Sequence, residues 1–138
     1  MIIKQALTQA DFFKCMMVRG RVFVDEQHIS SSIEIDETDQ TCLHFLALID
    51  NQPVGALRAI PCDGYIKLGR ICVLKEYRHL GIGKALVNHV MDTLQGEFHL
   101  DAQMSALDFY TSLGFTAYGE PFMEANIQHI AMKATRGK

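Results

Sequence analysis

The sequence contains little of what marks several common protein classes. Its 138 residues carry a net charge of -3, so the basic excess of nucleic-acid-binding domains is missing and nucleic acid is not an expected partner. The four cysteines, at positions 15, 42, 62 and 72, form no C-x-x-C pair, which argues against a zinc site. We therefore expect no metal, and a chain of this length needs no disulfide framework to form a core.

Long apolar runs and repeats are also missing. No stretch approaches the length of a membrane span, and polar residues interrupt residues 1–13 too early for a signal peptide. Hydrophobic residues make up 49% of the chain and charged residues 21%, which is typical of a globular protein. We expect a single domain over residues 1–138, located in the cytoplasm, monomeric or homodimeric, without membrane contact.

Hydrophobic periodicity predicts alternating strands and helices. Strands are predicted over residues 1–7, 42–50, 53–61, 65–74, 97–102, 115–120 and 127–133. Helices are predicted from the N-cap Thr8 to about Val24, from Gly83 to a stop at Gly96, and from the N-cap Ser105 to Gly114. The first is indicated by Phe13, Met17, Gly20 and Val24, at near-helical spacing. The acidic segment 28–41 is predicted to be a loop, and Asn51-Gln52 a hairpin turn. This order predicts the α/β class, with helices packed on a mixed sheet.

Residues 78–85, RHLGIGKA, place two glycines and two basic residues between a predicted strand and a predicted helix. A P-loop requires G-x-x-x-x-G-K-[ST], but Arg78 stands at the first glycine and Ala85 at the hydroxyl residue. A dinucleotide-binding loop requires a third glycine, where Leu86 stands. Neither motif is present.

The pattern that remains is Arg78-x-x-Gly81-x-Gly83. Amides at a helix N-terminus have no partner inside the helix, and the helix dipole favours an anion there. The two glycines remove the Cβ atoms that would keep a pyrophosphate away from the main chain. The motif therefore predicts a phosphate site, with a glycine-rich turn that binds nothing as the alternative.

Two segments carry a resemblance to a known family. ICVLKEYRHLGIGKALV, residues 71–87, resembles the acetyl-CoA signature [R/Q]-x-x-G-x-[G/A] of the GNAT superfamily of N-acetyltransferases. QMSALDFYTSLGF, residues 103–115, is similar to the later N-x-x-A-x-x-x-Y-x-x-x-G-F, with Gln103 in place of asparagine. Residues 21–27, the acidic run 34–39 with His44 behind it, and residues 125–133 resemble the ElaA/YjcF-like branch.

The resemblance implies a mostly antiparallel central sheet flanked by helices, with acetyl-CoA bound at a splay in the sheet beyond a bulge. The backbone of Ile71, Cys72 and Val73 is then expected to pair with the pantetheine arm, and one of these amides to serve as oxyanion donor. The other positions expected to bind acetyl-CoA are Arg78, His79, Leu80, Gly81, Ile82, Gly83, Lys84, Gln103, Ala106 and Phe109.

The resemblance also implies an acid at Tyr110 for the departing thiolate. A phenol has a pKa near 10 and an alkyl thiol one near 8.5, so the two can share a proton. The alternative is that Tyr110 only packs in the helical stripe that it forms with neighbouring apolar residues.

A base for the acceptor amine is harder to assign. Family members often use a strand carboxylate, but Lys67 stands at about that position here. Glu34, Asp36, His44 and His129 are the candidates, of which Glu34 and His129 are carried forward as catalytic residues. The alternatives are a solvated acidic loop for the carboxylates and hydrogen-bonded strand residues for the histidines.

The resulting hypothesis is direct transfer of an acetyl group from acetyl-CoA to a primary amine of a small molecule or peptide. Acidic residues at positions 34, 36, 37 and 39 suggest a cationic acceptor. Cys72 has no His or Asp beside it in the sequence, so a covalent intermediate on its thiol is not expected. Because the strand carboxylate is absent, a non-catalytic acyl-CoA-binding module is the alternative, and a purely structural interaction domain a third.

Overall fold

Seven strands form one sheet in the computed structural model, which describes residues 1–137. The strands are β1 (Ile2–Gln5), β2 (Leu43–Ile49), β3 (Gln52–Pro61), β4 (Ile66–Val73), β5 (Gly96–Gln103), β6 (Thr116–Glu124) and β7 (Ile127–Arg136). Their order is β1-β2-β3-β4-β5-β7-β6, and only β4 and β5 pair in parallel. This confirms the predicted α/β fold with a mixed, mostly antiparallel sheet.

Helices connect and cover the strands. They are α1 (Gln9–Arg19), a π-helical segment (Gly20–Glu26), α2 (Ser31–Glu34), α3 (Ile82–Leu94) and α4 (Leu107–Ser112). Short 3-10 turns lie at residues 37–40, 75–77 and 104–106. No helix in residues 1–137 combines the length and apolar character that crossing a bilayer requires.

The first helix begins as predicted and then changes geometry. The Thr8 hydroxyl caps it by accepting a hydrogen bond from the Asp11 amide at 3.1 Å. From Gly20 onward the α-helix becomes a π-helix, a local widening that often occurs at functional sites. The predicted stripe identified the helix but not its buried face, because Phe13 and Met17 are at least half exposed. The buried side instead carries Cys15, Val18, Arg19 and Val22.

Other local predictions need correction. The segment 28–41 contains the helical turn α2 and a 3-10 turn rather than only loop. The β2–β3 turn is centred on Asp50-Asn51, both with positive φ (49° and 66°), one residue before the predicted position. Ala106, rather than Ser105, precedes the last helix, since a 3-10 turn occupies residues 104–106.

The longest helix, α3, packs one apolar face onto the sheet. Leu86, Val87, Val90 and Met91 on this face are essentially inaccessible to solvent, as the sequence periodicity predicts. Each such side chain contributes roughly 1.5–3 kcal/mol relative to an exposed position. At the C-terminal end, Gln95 and Gly96 both adopt positive φ (54° and 117°), which stops the helix. Burial of this face holds the N-terminus of α3 in place beside β4.

Strands β4 and β5 separate soon after they meet. Their parallel pairing covers only Ile66↔Phe98, Lys67↔His99 and Leu68↔Leu100. The register between β3 and β4 also shifts, from Ala56↔Cys72 to Arg58↔Gly69. Arg70 lies within this irregularity with φ 49°, an uncommon conformation for a long side chain. Residues 69–73 of β4 therefore lack a β5 partner, and the sheet opens there.

A buried cluster of charged groups fixes the acidic segment against the sheet. Arg19, 1% exposed, donates to Glu34 at 2.8 Å and to both carboxylate oxygens of Asp39 at 2.7 and 3.1 Å. Arg58 binds Asp36 and Asp39 at 2.8–3.0 Å. We call these residues, together with Arg70, the charge cluster. It contains three arginines and three carboxylates, so its positive and negative charges compensate.

Removing one member of the charge cluster should destabilise the fold. We expect Arg19→Met to lower the free energy of unfolding by about 3–5 kcal/mol, because Glu34 and Asp39 would stay buried with fewer cationic partners. Urea denaturation followed by circular dichroism measures the change.

Arg21→Met is the matched control. Arg21 lies two residues along the same helical segment and forms an exposed pair with Glu76 at 3.5 Å, an interaction that contributes about 0–1 kcal/mol. Equal effects of the two substitutions would show that the cluster does not anchor the segment.

Candidate active site

The opening between β4 and β5 forms part of one large cavity. Its volume is about 730 Å³, in the range of sites that take small molecules and cofactors. Its lining includes residues 69–73 of β4, the N-terminus of α3, and side chains from β5, β7 and the acidic segment. The cavity therefore contains both an anion-binding element and a set of polar groups. We call the part lined by α3 the loop end and the part lined by these polar side chains the polar end.

At the loop end, α3 begins without a side-chain cap. Gly81 is its N-cap residue in a left-handed conformation (φ 82°), and the first internal bond is from the Ala85 amide to the Gly81 carbonyl at 3.0 Å. The preceding amides of the helix have no side-chain cap, which leaves them available to an anion. A Cβ atom at Gly83 would lie 3.3 Å from Phe109, so this glycine also lets α3 pack closely on α4. The geometry fits a phosphate-bearing ligand.

Arg78 is held by the protein rather than extended into the cavity. Its two terminal nitrogens form a bidentate pair with Glu26 at 2.6 and 2.7 Å, and its Nε donates to the Val73 carbonyl at 3.0 Å. The hydrogen bond from Arg78 lowers the pKa of Glu26; burial opposes this shift, and the positive charge of Arg78 reinforces it. The arginine thus ties the π-helical segment to the end of β4 and shapes the loop.

Cys72 lines the cavity, but its thiol is not activated as a nucleophile. Burial raises the pKa of its thiol to about 12, so the thiolate is scarce at neutral pH. The side chain behaves as a small apolar group. This agrees with the expectation that Cys72 forms no covalent intermediate.

Tyr110 on α4 lines the cavity near Cys72 and is only 8% exposed. Among the described residues its hydroxyl has no hydrogen-bond partner, whereas its ring contacts Phe109 and Phe115 edge-on. Burial raises the pKa of Tyr110 well above its usual value, with a smaller contribution from Cys72. The sequence predicts that the pKa of Tyr110 lies close to that of a thiol. This prediction is wrong for the buried environment of the side chain. The group is a neutral hydroxyl donor at neutral pH.

His129 on β7 lines the polar end and has a defined tautomer. Its Nδ1 lies 2.7 Å from the Ile127 carbonyl oxygen, which can only accept, so Nδ1 carries the proton. The ring stacks on Phe122 with centroids 5.8 Å apart. Nε2 makes no hydrogen bond to any residue in 1–137 and, in the neutral ring, holds a lone pair.

Glu34 also lines the cavity, yet its carboxylate is committed to two guanidinium groups. It lies 2.8 Å from Arg19 and 3.0 Å from Arg70, and its side chain is 2% exposed. Because this carboxylate is buried and ion-paired with both arginines through Oε2, the geometry favours an anchoring role for Glu34 over the role of the base. Nor is the acidic run a solvated loop, because Glu34 and Asp39 are buried and ion-paired.

Lys67 and Asp101 form an ion pair at the polar end, with Nζ and Oδ2 2.9 Å apart. Burial by itself lowers the pKa of Lys67, but the hydrogen bond and charge of Asp101 outweigh it and raise the pKa. Lys67 therefore stays cationic. The strand position at which the resemblance implies a carboxylate base is therefore occupied by a lysine whose charge is compensated by Asp101.

Nearly all predicted site residues lie around this cavity. Its lining contains the predicted positions 34, 71–73, 78, 79, 81–84, 103, 106, 109, 110 and 129. Leu80 is the exception: it is 65% exposed and does not line the cavity. Gln103 faces Gln27, and the two side-chain amides exchange hydrogen bonds at 2.9 and 3.4 Å.

Sequence reasoning missed the residues that hold the site in shape. Glu26, Gln27, Arg58 and Arg70 had no assigned role, because each acts through a partner far away in the chain. The pair Glu26–Arg78, for example, spans 52 residues. No local pattern signals such a contact.

Asp39, Cys42 and His44 form a group of potential metal ligands. Ligand atoms of Asp39, Cys42 and His44 lie within 4.8 Å of one another. However, both Asp39 oxygens accept from arginines, and His44 Nε2 lies 2.9 Å from the Asp39 carbonyl, which requires a proton on that nitrogen. These atoms are poorly arranged to hold a metal ion.

Comparison with known proteins places this geometry in a family. Residues 4–136 match the acetyltransferase (GNAT) domain family. The chain is 41% identical over 120 residues to YjcF of Bacillus subtilis, an uncharacterised N-acetyltransferase by its name, covering 83% of this chain and 86% of YjcF.

Two further proteins agree. ElaA of Escherichia coli is 26% identical over 135 residues, covering 91% of this chain and 88% of ElaA, and its crystal structure superposes with a TM-score of 0.85. An acyl-CoA N-acyltransferase from Pseudomonas aeruginosa superposes with a TM-score of 0.87 at 26% identity, covering 98% of this chain and 100% of the other. The chain therefore belongs to the GNAT acetyltransferase family, in the branch that contains YjcF and ElaA, and is an N-acetyltransferase.

Proposed function

We propose that the protein transfers an acetyl group from acetyl-CoA directly to a primary amine. One observation carries the proposal: the cavity joins the uncapped N-terminus of α3, the unpaired edge of β4 and a buried tyrosine hydroxyl. These are three groups that an acyl-CoA thioester needs, for its phosphates, its pantetheine amides and its leaving sulfur. The acyl-CoA name of the Pseudomonas aeruginosa relative agrees with this donor.

The donor would bind along the wall formed by the loop and β4. The amides of Ile82, Gly83 and Lys84 would bind the pyrophosphate, and the helix dipole would add attraction for its charge. Backbone groups of residues 71–73 would pair with the pantetheine arm where β5 has turned away. One amide in this stretch would donate to the thioester oxygen as negative charge develops on it.

Tyr110 would act at the sulfur. As the new C–N bond forms and the C–S bond breaks, negative charge moves to the departing thiolate. The Tyr110 hydroxyl would donate a hydrogen bond to it and so stabilise the developing charge. Because burial raises the pKa of Tyr110, the phenol keeps its proton throughout and acts as an acid by donating this hydrogen bond, and the departing thiolate takes its proton from solvent.

His129 would accept the proton of the attacking amine. An ammonium group has no lone pair, so it must lose a proton before or during attack. The bond from Nδ1 to the Ile127 carbonyl leaves Nε2 as the basic nitrogen. A base at His129 and a hydrogen-bond donor at Tyr110 would then act in the same cavity, which both residues line. His129 would replace the strand carboxylate whose position Lys67 occupies.

Tyr110→Phe tests the acid. We expect kcat to fall by roughly 10- to 10⁴-fold, the contribution typical of an acid catalyst, with the acetyl-CoA dissociation constant nearly unchanged because only the hydroxyl is lost. Release of the CoA thiol measures turnover, and calorimetry measures binding.

Tyr118→Phe is the matched control, since Tyr118 is 41% exposed on β6 and lies outside the cavity lining. Unchanged turnover for Tyr110→Phe would remove this hydroxyl from the mechanism. Saturable acetyl-CoA binding without turnover of any amine in the wild-type protein would instead indicate a non-catalytic acyl-CoA-binding module.

His129→Gln tests the base. The glutamine can hydrogen-bond but cannot accept the amine proton, so we expect kcat to fall by about 10²- to 10⁴-fold at neutral pH. Release of the CoA thiol measures kcat, and calorimetry should find the acetyl-CoA dissociation constant nearly unchanged, because the donor site is intact. An unchanged kcat in His129→Gln would assign the base elsewhere.

A further inference from the structure

The polar end of the cavity contains two adjacent guanidinium groups. Nη2 of Arg58 and Nη2 of Arg70 both approach the same oxygen, Asp36 Oδ2, at 3.0 and 3.4 Å. Both arginines line the cavity. Because the two guanidinium groups approach one oxygen, their remaining N–H groups lie in the same part of the cavity wall.

Arg58 has one donor left over. Its terminal nitrogens bind Asp36 and Asp39, but its Nε is buried without a partner, the only such buried side-chain nitrogen or oxygen in residues 1–137. Leaving a charged donor unpaired in a protein interior is costly. A ligand atom that accepts a hydrogen bond from Arg58 Nε would remove this cost.

The space beside this donor is open because residue 69 is glycine. A Cβ atom at Gly69 would lie 3.9 Å from Arg58 Nε, and no other atom outside residues 68–70 lies within 4 Å of that point. Gly69 also lines the cavity. Nε itself is closed to solvent in the present side-chain conformation, so a small polar group would reach it by a shift of the Arg58 side chain toward the space that the missing side chain leaves.

Arg70 contributes the second donor from a strained position. Its φ of 49° is unfavourable for a long side chain and is maintained at the β4 irregularity. Nε and Nη2 bind Glu34 and its neighbours, whereas Nη1 makes no hydrogen bond among the described residues. The side chain is 25% exposed, so that nitrogen is within reach of a molecule in the cavity.

We propose that the acceptor amine also carries a carboxylate, which binds between Arg58 Nε and Arg70 Nη1. A carboxylate has two oxygens and suits paired guanidinium donors. This inference rests on the proposed transfer to an amine and adds the class of acceptor: an amino acid or another amine with a carboxylate group.

The surrounding charges agree with such an acceptor. Glu34 and Asp36 are neutralised by the arginines of the charge cluster, and Asp101 by Lys67. They therefore do not favour a purely cationic acceptor, which the acidic run in the sequence suggested. Glu124, which also lines the cavity, forms no ion pair within residues 1–137 and can attract the ammonium end.

Paired acceptors test the inference. Straight-chain amino acids with a terminal amine, from glycine to 6-aminohexanoate, are compared with alkylamines of the same length, with acetyl-CoA saturating. CoA-thiol release gives kcat/KM, and mass spectrometry identifies the product. At one chain length or more, we expect the carboxylate to raise kcat/KM by about 10- to 100-fold, as charged hydrogen bonds do.

Two variants locate the effect. Arg70→Gln should reduce this preference by about tenfold or more, and Arg70→Lys should restore part of it. Gly69→Ala places a methyl group in the space beside Arg58 Nε and should also reduce the preference. The ratio of the two substrates within one variant is the readout, so a general loss of stability or activity cancels. Arg21→Gln, which removes an exposed arginine outside the cavity, should leave the ratio unchanged.

The outcomes separate the two proposals. Alkylamines used as well as their amino acid partners by the wild-type protein, or an unaltered ratio in Arg70→Gln and Gly69→Ala, would overturn the carboxylate site and leave amine acetylation intact. No acetylated product from any amine would overturn amine acetylation, and the acceptor class with it.

Discussion

The separation of β4 from β5 is the constraint on which the rest of the structure depends. The two strands pair over only three residue positions, and β4 then continues with one edge unpaired. Unpaired main-chain groups inside a protein need partners, and here a cavity of about 730 Å³ lies against them. The irregularity at Arg70 and the packing of α3 on the sheet keep that edge open. An acyl-CoA molecule extended along it would supply the missing hydrogen bonds.

The charge cluster serves both the fold and the polar end of the cavity. Arg19, Arg58, Glu34 and Asp39 of this cluster are buried. Burying ion pairs is rarely the most stabilising choice, because desolvation offsets much of the attraction. The cluster instead fixes the positions of its members. Arg19 binds Glu34 and Asp39 of the acidic segment, and Arg58 and Arg70 line the cavity. Desolvation by burial, followed by the charge of Arg58, lowers the pKa of Arg70. A further anion beside Arg70 would therefore stabilise its charged form. The same arginine thus contributes to the fold and to the proposed binding of the acceptor.

Local sequence signals predicted much of the fold and the donor side of the site. The apolar stripe from Leu86 to Met91 identified α3, and Gly81 with Gly83 identified its uncapped start, since each depends on neighbours in the chain. The acceptor side was not predictable in the same way. Glu34 looked like a solvated carboxylate because its partners Arg19 and Arg70 lie 15 and 36 residues away. Glu26 and Gln27 likewise contact residues that are distant in the sequence, Arg78 and Gln103, so their roles are visible only in the folded structure. Tyr110 was found from its motif, but its raised pKa follows from burial that no motif records.

Backbone amide mapping by NMR tests the central claim most directly, since the claim concerns main-chain groups rather than side chains. Coenzyme A is titrated into uniformly ¹⁵N-labelled protein, and chemical-shift changes are followed at each assigned amide. The account predicts saturable changes concentrated at residues 71–73 and 81–84, with the amides of β1 and β2 unaffected. Absence of saturable changes at both segments in well-folded protein would contradict it.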